Sequence, residues 1–283
     1  YDTAAQCRVW LEFLDTVMDG NQEMIRFLQQ IAGYALTGDI SEQILVFLSG
    51  RGANGKSTFV ETLTGILGSY SKHARPETFM IKSGDNNSSN DIAELQGSRL
   101  VVVTELEEGK WLAESLVKTL TGGEMIKARY LYGEYFQYQP TFKVFMCGNH
   151  RPRIRGRDWG IWRRIRLVNW PVTISPEKQD KKLLEKLKSE WPGVLNWMVA
   201  GCLDWQKNGL ITPAGVIEAT SEYKEEQDVL ADFFRECVAV DPSAKTSVAE
   251  LYQAYNSFCD SNGESLRTRL GKKTFNQRVM ERH

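Results

Sequence analysis

Long apolar runs are missing from this chain. The longest candidate, Ile44–Leu48, is strand-sized, well short of the ~18 apolar residues a membrane-spanning helix needs. No membrane partner is therefore expected. An initiating Met and a basic-then-apolar leader are also missing, since the first residue is Tyr1. The expectation is an internal piece of a longer protein with no visible secretion signal. Cysteine is sparse and unpaired in pattern: Cys7, Cys147, Cys202, Cys237 and Cys259 are odd in number and contain no C-x-x-C. That argues against a disulfide framework and a zinc site, and suits a reducing, cytoplasmic compartment. The three histidines, His73, His150 and His283, are too scattered for H-E-x-x-H chemistry.

At 283 residues the chain has room for one large domain or two ordinary ones. Its net charge of −1 predicts no general affinity for nucleic acid, but the charge is unevenly spread. Lys143, Arg151, Arg153, Arg155, Arg157, Arg163, Arg164 and Arg166 face only Asp158 within residues 143–170, a local +7 that leaves −8 for the rest. A basic block in an acidic chain predicts a local polyanion site. Its arginine bias favours phosphate, because the planar guanidinium matches that geometry. A solvated basic loop paired to acids elsewhere is the alternative.

Hydrophobic spacing predicts two helices within residues 3–36, through Val9, Trp10, Phe13 and Val17 and then Ile25, Leu28, Ile31 and Ala35. An α/β stretch follows: a strand at Ile44–Leu48, a glycine-rich turn, a helix near Gly55–Leu67 and a strand at Leu100–Thr104. Lys82–Asn90 reads as a polar loop. Residues 125–138 alternate around Tyr132-Gly133-Glu134 and read as a β-hairpin. Strands at Thr141–Cys147 and Arg164–Trp170 bracket the arginines, and helices return at about 176–188 and 190–207. Acids at Glu218, Glu222, Glu225, Glu226 and Asp228 mark a boundary. Beyond it, Leu230–Val240 and Val248–Cys259 read as helical, with Leu251, Tyr255 and Phe258 on one face and a basic end. The organisation expected is a helical segment at 1–40, an ATPase core with its following helices at 41–217, and a helical or winged-helix DNA-binding module at 228–283.

The strongest motif is Gly50-Arg-Gly-Ala-Asn-Gly-Lys56-Ser57, a complete G-x-x-x-x-G-K-[ST] between a strand and a helix. Glycines let backbone N–H groups wrap phosphates, and the helix N-terminus adds favourable partial charge. Gly50, Gly52, Ala53, Asn54, Gly55, Lys56, Ser57 and Thr58 are thus the expected nucleotide loop. Lys56 is assigned to the β- and γ-phosphates and Ser57 to Mg²⁺. The ligand expected is ATP·Mg²⁺.

Hydrolysis also needs an acid at a neighbouring strand end. The strand at 100–104 runs straight into Glu105, Leu106 and Glu107. Glu105 is the first choice for the metal side or the base, and Glu107 the second. Asn149, at the tip of the strand at 141–147, is a candidate sensor of the γ-phosphate. Arg163 and Arg164 are candidates for an arginine that completes a neighbouring subunit's site. In the hairpin, Lys127 and Arg129 lie among aromatic side chains, a pattern that suits single-stranded nucleic acid. Most of these aromatics read as packing, which leaves the basic pair and the turn end, with Tyr132, as the expected contact.

Taken in order, GYALTGD (33–39), GRGANGKST (50–58), RLVVVTELEEG (99–109), KTLTGGEMIKARYLYGEYFQYQPTFK (118–143), GNHRPRIRG (148–156) and GIWRRIRL (160–167) resemble the superfamily 3 helicases of phage and plasmid primase-helicases. The likeness runs over about residues 5–200. It implies an α/β fold with an AAA+-like P-loop ATPase core and assembly into a homo-oligomeric ring, commonly a hexamer. It also implies ATP-driven movement on single-stranded and forked DNA, typically 3′→5′, in the cytoplasm of a bacterial host. By motif match, Glu105 with Glu107 form the second acidic motif, Asn149 the sensor, Lys127 and Arg129 the DNA hairpin, and Arg163 or Arg164 the finger. The family often has adjacent acids where Leu106 separates two here. No primase-like acid cluster is visible, so a primase region would lie elsewhere in the full-length chain. A nucleotide-switched replication initiator, a P-loop small-molecule kinase and a packaging or defence ATPase share the loop chemistry and stay open on sequence.

Overall fold

The computed structural model describes residues 2–81, 89–155, 159–239, 241, 243–263 and 269–280. Arg157, Asp158, Arg267 and the stretch 82–88 of the polar loop lie outside the described residues. The chain divides into two compact units, Tyr1–Lys224 and Glu225–His283. The break falls inside the acidic stretch 218–228, of which the helix Ala214–Glu226 covers 218–226 and Asp228 caps the next helix.

The first unit is built on five parallel strands: β1 Leu45–Ser49, β2 Ser71–Ala74, β3 Leu100–Val103, β6 Lys143–Gly148 and β7 Ile165–Asn169. Their spatial order is β2-β3-β6-β1-β7. A separate antiparallel pair, β4 Ile126–Ala128 with β5 Phe136–Tyr138, forms the expected hairpin. β1, β3 and β6 are buried along their whole length, and their continuous apolar runs suit a sheet covered on both faces. β2 is the polar run Ser-Lys-His-Ala at an edge, which is why periodicity misses it.

The N-terminal helices Arg8–Val17 and Gln22–Tyr34 belong to this first unit. Trp10, Phe13, Leu14 and Val17 bury one face of the first helix. Its N-terminus is capped from a distance, by the Glu190 carboxylate, which accepts from the backbone N–H groups of Val9 and Trp10, each at 3.0 Å. An anion there satisfies orphan donors and meets the positive end of the helix. The second helix is capped locally by the Asn21 side chain and lies against the long helix Trp191–Asn208. There is no room for side chains where those two cross. A Cβ on Gly33 would lie 2.1 Å from the Cys202 nitrogen, and one on Gly201 would lie 2.0 Å from the Gln29 carbonyl.

The second unit has three helices, Val229–Cys237, Val248–Ser261 and Lys272–Met280. Leu230, Phe233, Tyr255, Cys259 and Phe275 form its core. Ser247 and Glu250 make a reciprocal capping box at the middle helix. Among the described residues this unit has no strand.

Candidate nucleotide cleft and hairpin

The chain leaves β1, crosses to the far edge at β2, returns through β3 and β6, and ends beyond β1 at β7. The strand order therefore reverses beside β1, which opens a crevice at the C-terminal strand ends, where α/β sheets bind ligands. The loop after β1, Thr104 and Glu105 after β3, and Asn149 after β6 all face one cleft of about 570 Å³. Gly52, Ala53, Asn54, Gly55, Lys56, Ser57 and Thr58 line its loop side. Gly50 is not in the lining, but its carbonyl accepts from Lys56.

Gly55 has φ +85°, and its missing side chain is what lets the loop sit on the first helix. A Cβ there would be 2.7 Å from a Phe13 ring carbon. The helix Lys56–Leu67 starts directly afterwards. Lys56 is buried at 6% exposure. Its Nζ donates to the Gly50 carbonyl and Asn54 Oδ1 at 2.9 Å each, and to Asn149 Oδ1 at 3.4 Å. Burial pulls its pKa down from the ordinary lysine value. The buried Cys147 thiol also lines the cleft and is pushed up to about 12 by burial, so it stays neutral and gives Lys56 no counter-charge.

The two acids part company here. Glu105 faces the cleft from a left-handed backbone with φ +60°, a conformation that costs a non-glycine residue energy and clusters at functional sites. Glu107 is not in the lining, and it pairs with Lys110 at 2.9 Å. Glu61 and His73 also line the cleft. Sequence reading missed both, although Glu61 lies four residues after Ser57 and so on the same helical face. His73 sits on the polar edge strand and carries no such signal.

The residues present fit a phosphate-bearing group with its metal. Asn54 Nδ2 is a buried donor with no acceptor, placed beside a lysine and a helix N-terminus. The hydroxyls of Ser57, Thr58 and Thr104 and the carboxylates of Glu61 and Glu105 line the same cleft. No group of three or more His, Cys, Asp or Glu among the described residues could hold a metal unaided. That sparse set suits Mg²⁺, which keeps waters and takes substrate phosphates as ligands.

The basic block does not form one patch. Arg151 stacks over Tyr223, and Arg153 and Arg155 over Trp111. Lys143, Arg163, Arg164 and Arg166 lie at the opposite, N-terminal ends of β6 and β7. Arg164 is enclosed by its own chain. It is buried at 7% exposure, with Nε donating to Thr121 Oγ1 at 3.0 Å and further bonds to the Gly160 carbonyl and Gln43. A guanidinium committed inside its own fold is not free to enter a neighbour's site. Arg163 is half-buried and bonded to Gln43, and neither arginine lines the cleft of its own chain.

In the hairpin the inner face packs and the outer face is wet. Ile126, Ala128 and Tyr138 are buried, and Tyr130 stacks on Phe136. Lys127, Arg129 and Tyr135 are exposed. Tyr132 is 99% exposed at the turn, with φ +62°. The turn is braced from the side by the short helix Ser89–Ala93. Ser89 Oγ accepts from the Arg129 N–H at 2.7 Å, and Asn90 Oδ1 from the Leu131 N–H at 3.0 Å.

Comparison with known proteins adds the following. Residues 48–164 match a family described as of unknown function (DUF5906), and residues 225–282 match one described as Poxvirus D5 protein-like. A protein of Acanthamoeba polyphaga mimivirus named a putative helicase is 30% identical over 86% of this chain. One of Frog virus 3 (isolate Goorha), named likewise, is 25% identical over 88%. The chain spans only 27% and 29% of the lengths of these two relatives. Among solved structures, the C-terminal region of NrS-1 superposes with a TM-score of 0.59 at 13% identity, over 83% of this chain and 57% of that one. Among the described residues no helix is long and apolar enough to cross a membrane. In fold the chain is therefore similar to the NrS-1 C-terminal region, and in sequence it is similar to viral proteins named as helicases.

Proposed function

We propose that this chain is the ATP-hydrolysing motor of a DNA helicase of the superfamily 3 kind, serving replication of a viral or other mobile genome. The observation that carries the reading is the convergence of the phosphate loop, Glu105 and Asn149 on one cleft from three neighbouring strands. Similarity to viral proteins named as helicases supports it.

In this reading the loop N–H groups and Lys56 hold the phosphates of ATP, and Ser57 and Glu105 would hold Mg²⁺, which would supply charge neutralisation for phosphoryl transfer. Lys56 leaves its three protein acceptors to meet the phosphates, and Asn149 then orients the attacking water with Glu105. Glu107, tied to Lys110 outside the cleft, is relieved of a catalytic part. Among the described residues the cleft lining contains no arginine. Arg163 of a neighbouring copy in a ring, commonly hexameric, supplies that cation. Lys127, Arg129 and Tyr132 engage single-stranded DNA, and a primase region belongs elsewhere in the full-length protein.

The test is strand displacement on a forked duplex with ATP·Mg²⁺, run beside Lys56→Ala. Unwinding by the native chain that vanishes in the variant is the expected result. Robust hydrolysis by Lys56→Ala would overturn the site. Hydrolysis indifferent to single strands, in a longer chain that assembles, would favour a nucleotide switch or a small-molecule kinase.

A further inference from the structure

The outer face of the hairpin has an organisation of its own. β4 and β5 pair Lys127 with Gln137 and Ala128 with Phe136. Continuing that register one step towards the turn sets Arg129 opposite Tyr135. Residues two apart share a face of a strand, and cross-strand neighbours on that face touch. Accordingly, Lys127 Nζ lies 4.7 Å from the centre of the Tyr135 ring and the Arg129 guanidinium carbon lies 4.9 Å from it. One ring therefore holds both cations.

Tyr135 differs from its aromatic neighbours. Tyr130, Phe136 and Tyr138 make ring–ring contacts and hold the hairpin down. Tyr135 is 54% exposed, and among the described residues its ring meets no other ring. Neither Lys127 nor Arg129 meets a carboxylate among the described residues. Two like charges gathered at one point repel, and the negative face of the ring offsets that repulsion. The remaining imbalance is relieved when a phosphate arrives. Meanwhile Ser89 and Asn90 fix the backbone beneath, so the pair stands in place before any strand binds.

We propose that Tyr135 is a positioning residue for nucleic-acid binding, whose ring gathers Lys127 and Arg129 into one preformed phosphate-binding point on the outer face of the hairpin. The inference rests on the nucleic-acid reading of the hairpin and names a part of it that residue spacing did not reveal. Tyr135 acts through the two cations, while Tyr132 is the side chain presented to bases.

The test uses the full chain and fluorescein-labelled oligothymidine, followed by fluorescence anisotropy across a salt series. The variants are Tyr135→Phe, Tyr135→Leu and the double variant Lys127→Ala/Arg129→Ala. Tyr135→Leu is expected to weaken binding by roughly fivefold to thirtyfold, the sum of two cation–ring contacts. It is also expected to flatten the salt dependence by about one phosphate contact. Tyr135→Phe keeps the ring face and stays within about threefold of the native chain. DNA-free ATP hydrolysis is unchanged in both, which separates positioning from loss of fold. If Tyr135→Leu binds like the native chain while the double variant weakens, the hairpin still binds DNA and the positioning role is wrong. If Tyr135→Phe loses as much as Tyr135→Leu, the hydroxyl matters and the ring face does not, which also overturns it. If the double variant binds normally, the hairpin reading and this inference fall together.

Discussion

Two buried lysines sit at opposite ends of the same parallel sheet. Lys56 follows β1 at the C-terminal ends of the strands, and Lys143 opens β6 at the N-terminal ends. Both are held by oxygen acceptors. Lys56 has the Gly50 carbonyl and two asparagine side chains, whereas Lys143 has the carbonyls of Thr37 and Asp39 at 2.6 and 3.0 Å and the face of Tyr34. The difference lies in what surrounds them. Around Lys56 three strand ends and a helix N-terminus leave an open cleft with a carboxylate across it. Around Lys143 the residues that follow the second helix close over the ammonium, and it is 2% exposed. A buried lysine offers a binding site only where neighbouring elements leave it something to bind; otherwise it fastens one segment to another.

The largest expected effect tests the open end. Lys56→Ala is expected to cut ATP turnover by about a thousandfold, in line with removal of a main charge-stabilising donor, while the thermal midpoint barely moves. Retained turnover in a steady-state phosphate-release assay would erase the distinction between the two lysines. The acids sharpen it further. Glu105→Gln is expected to lower turnover by about a hundredfold with nucleotide binding preserved, and Glu107→Gln to change it by less than about threefold, because an exposed ion pair contributes little. Equal losses in the two variants would return Glu107 to the cleft.

Much of this end was legible in the sequence, because the constraints there are local. A strand, six loop positions and a helix form one continuous stretch, so Lys56 and Ser57 could be assigned from order alone. The acid at the end of β3 was visible for the same reason. Its place directly after the strand puts Glu105 ahead of Glu107, but the left-handed backbone at Glu105 and the pairing of Glu107 with Lys110 are encoded by no spacing. The arginines show the opposite limit. Their clustering along residues 143–170 suggested one site, but β6 and β7 run parallel and the connection between them spans the sheet, so chain neighbours part to its two ends. Glu190 capping a helix some 180 residues earlier, and Gly33 meeting the backbone of the helix Trp191–Asn208, are likewise properties of the folded chain alone.

The arginine pair tests the closed end, where Arg164 is held inside its own fold and Arg163 is the one proposed to act in a neighbour's site. Arg164→Ala removes a buried guanidinium from Thr121, Gly160 and Gln43 and should cost about 2–4 kcal/mol in urea unfolding. Arg163→Ala should leave stability within about 0.5 kcal/mol and reduce turnover. Mixing the Arg163→Ala and Lys56→Ala proteins should restore part of that turnover, because some interfaces then join an intact loop to an intact arginine. If no ratio of the two hydrolyses ATP, Arg163 does not act in a neighbour's site. If Arg164→Ala folds as stably as the native chain, the bonds of its guanidinium to Thr121, Gly160 and Gln43 contribute nothing net to stability.

The smallest effect concerns Lys143 itself. Burial brings it down from 10.5 to about 7 in the folded chain. Between those values the unfolded chain binds more protons than the folded one, so folding stability contributed at this position rises as pH climbs above about 7 and is flat below it. Lys143→Met keeps the volume, removes the titration and strands the carbonyls of Thr37 and Asp39, at a cost of about 1–3 kcal/mol. The native chain's advantage over this variant should therefore grow between pH 7 and pH 9, by at most about 1.4 kcal/mol per pH unit. ATP turnover should stay unchanged throughout. Urea unfolding of the two proteins at matched pH values isolates the term, because every other titrating group is common to both. An advantage that does not vary with pH would mean that the two carbonyls and the Tyr34 ring hold Lys143 fully protonated. The closed end of the sheet would then stabilise its lysine as an ion, and the contrast with Lys56 would narrow to access alone.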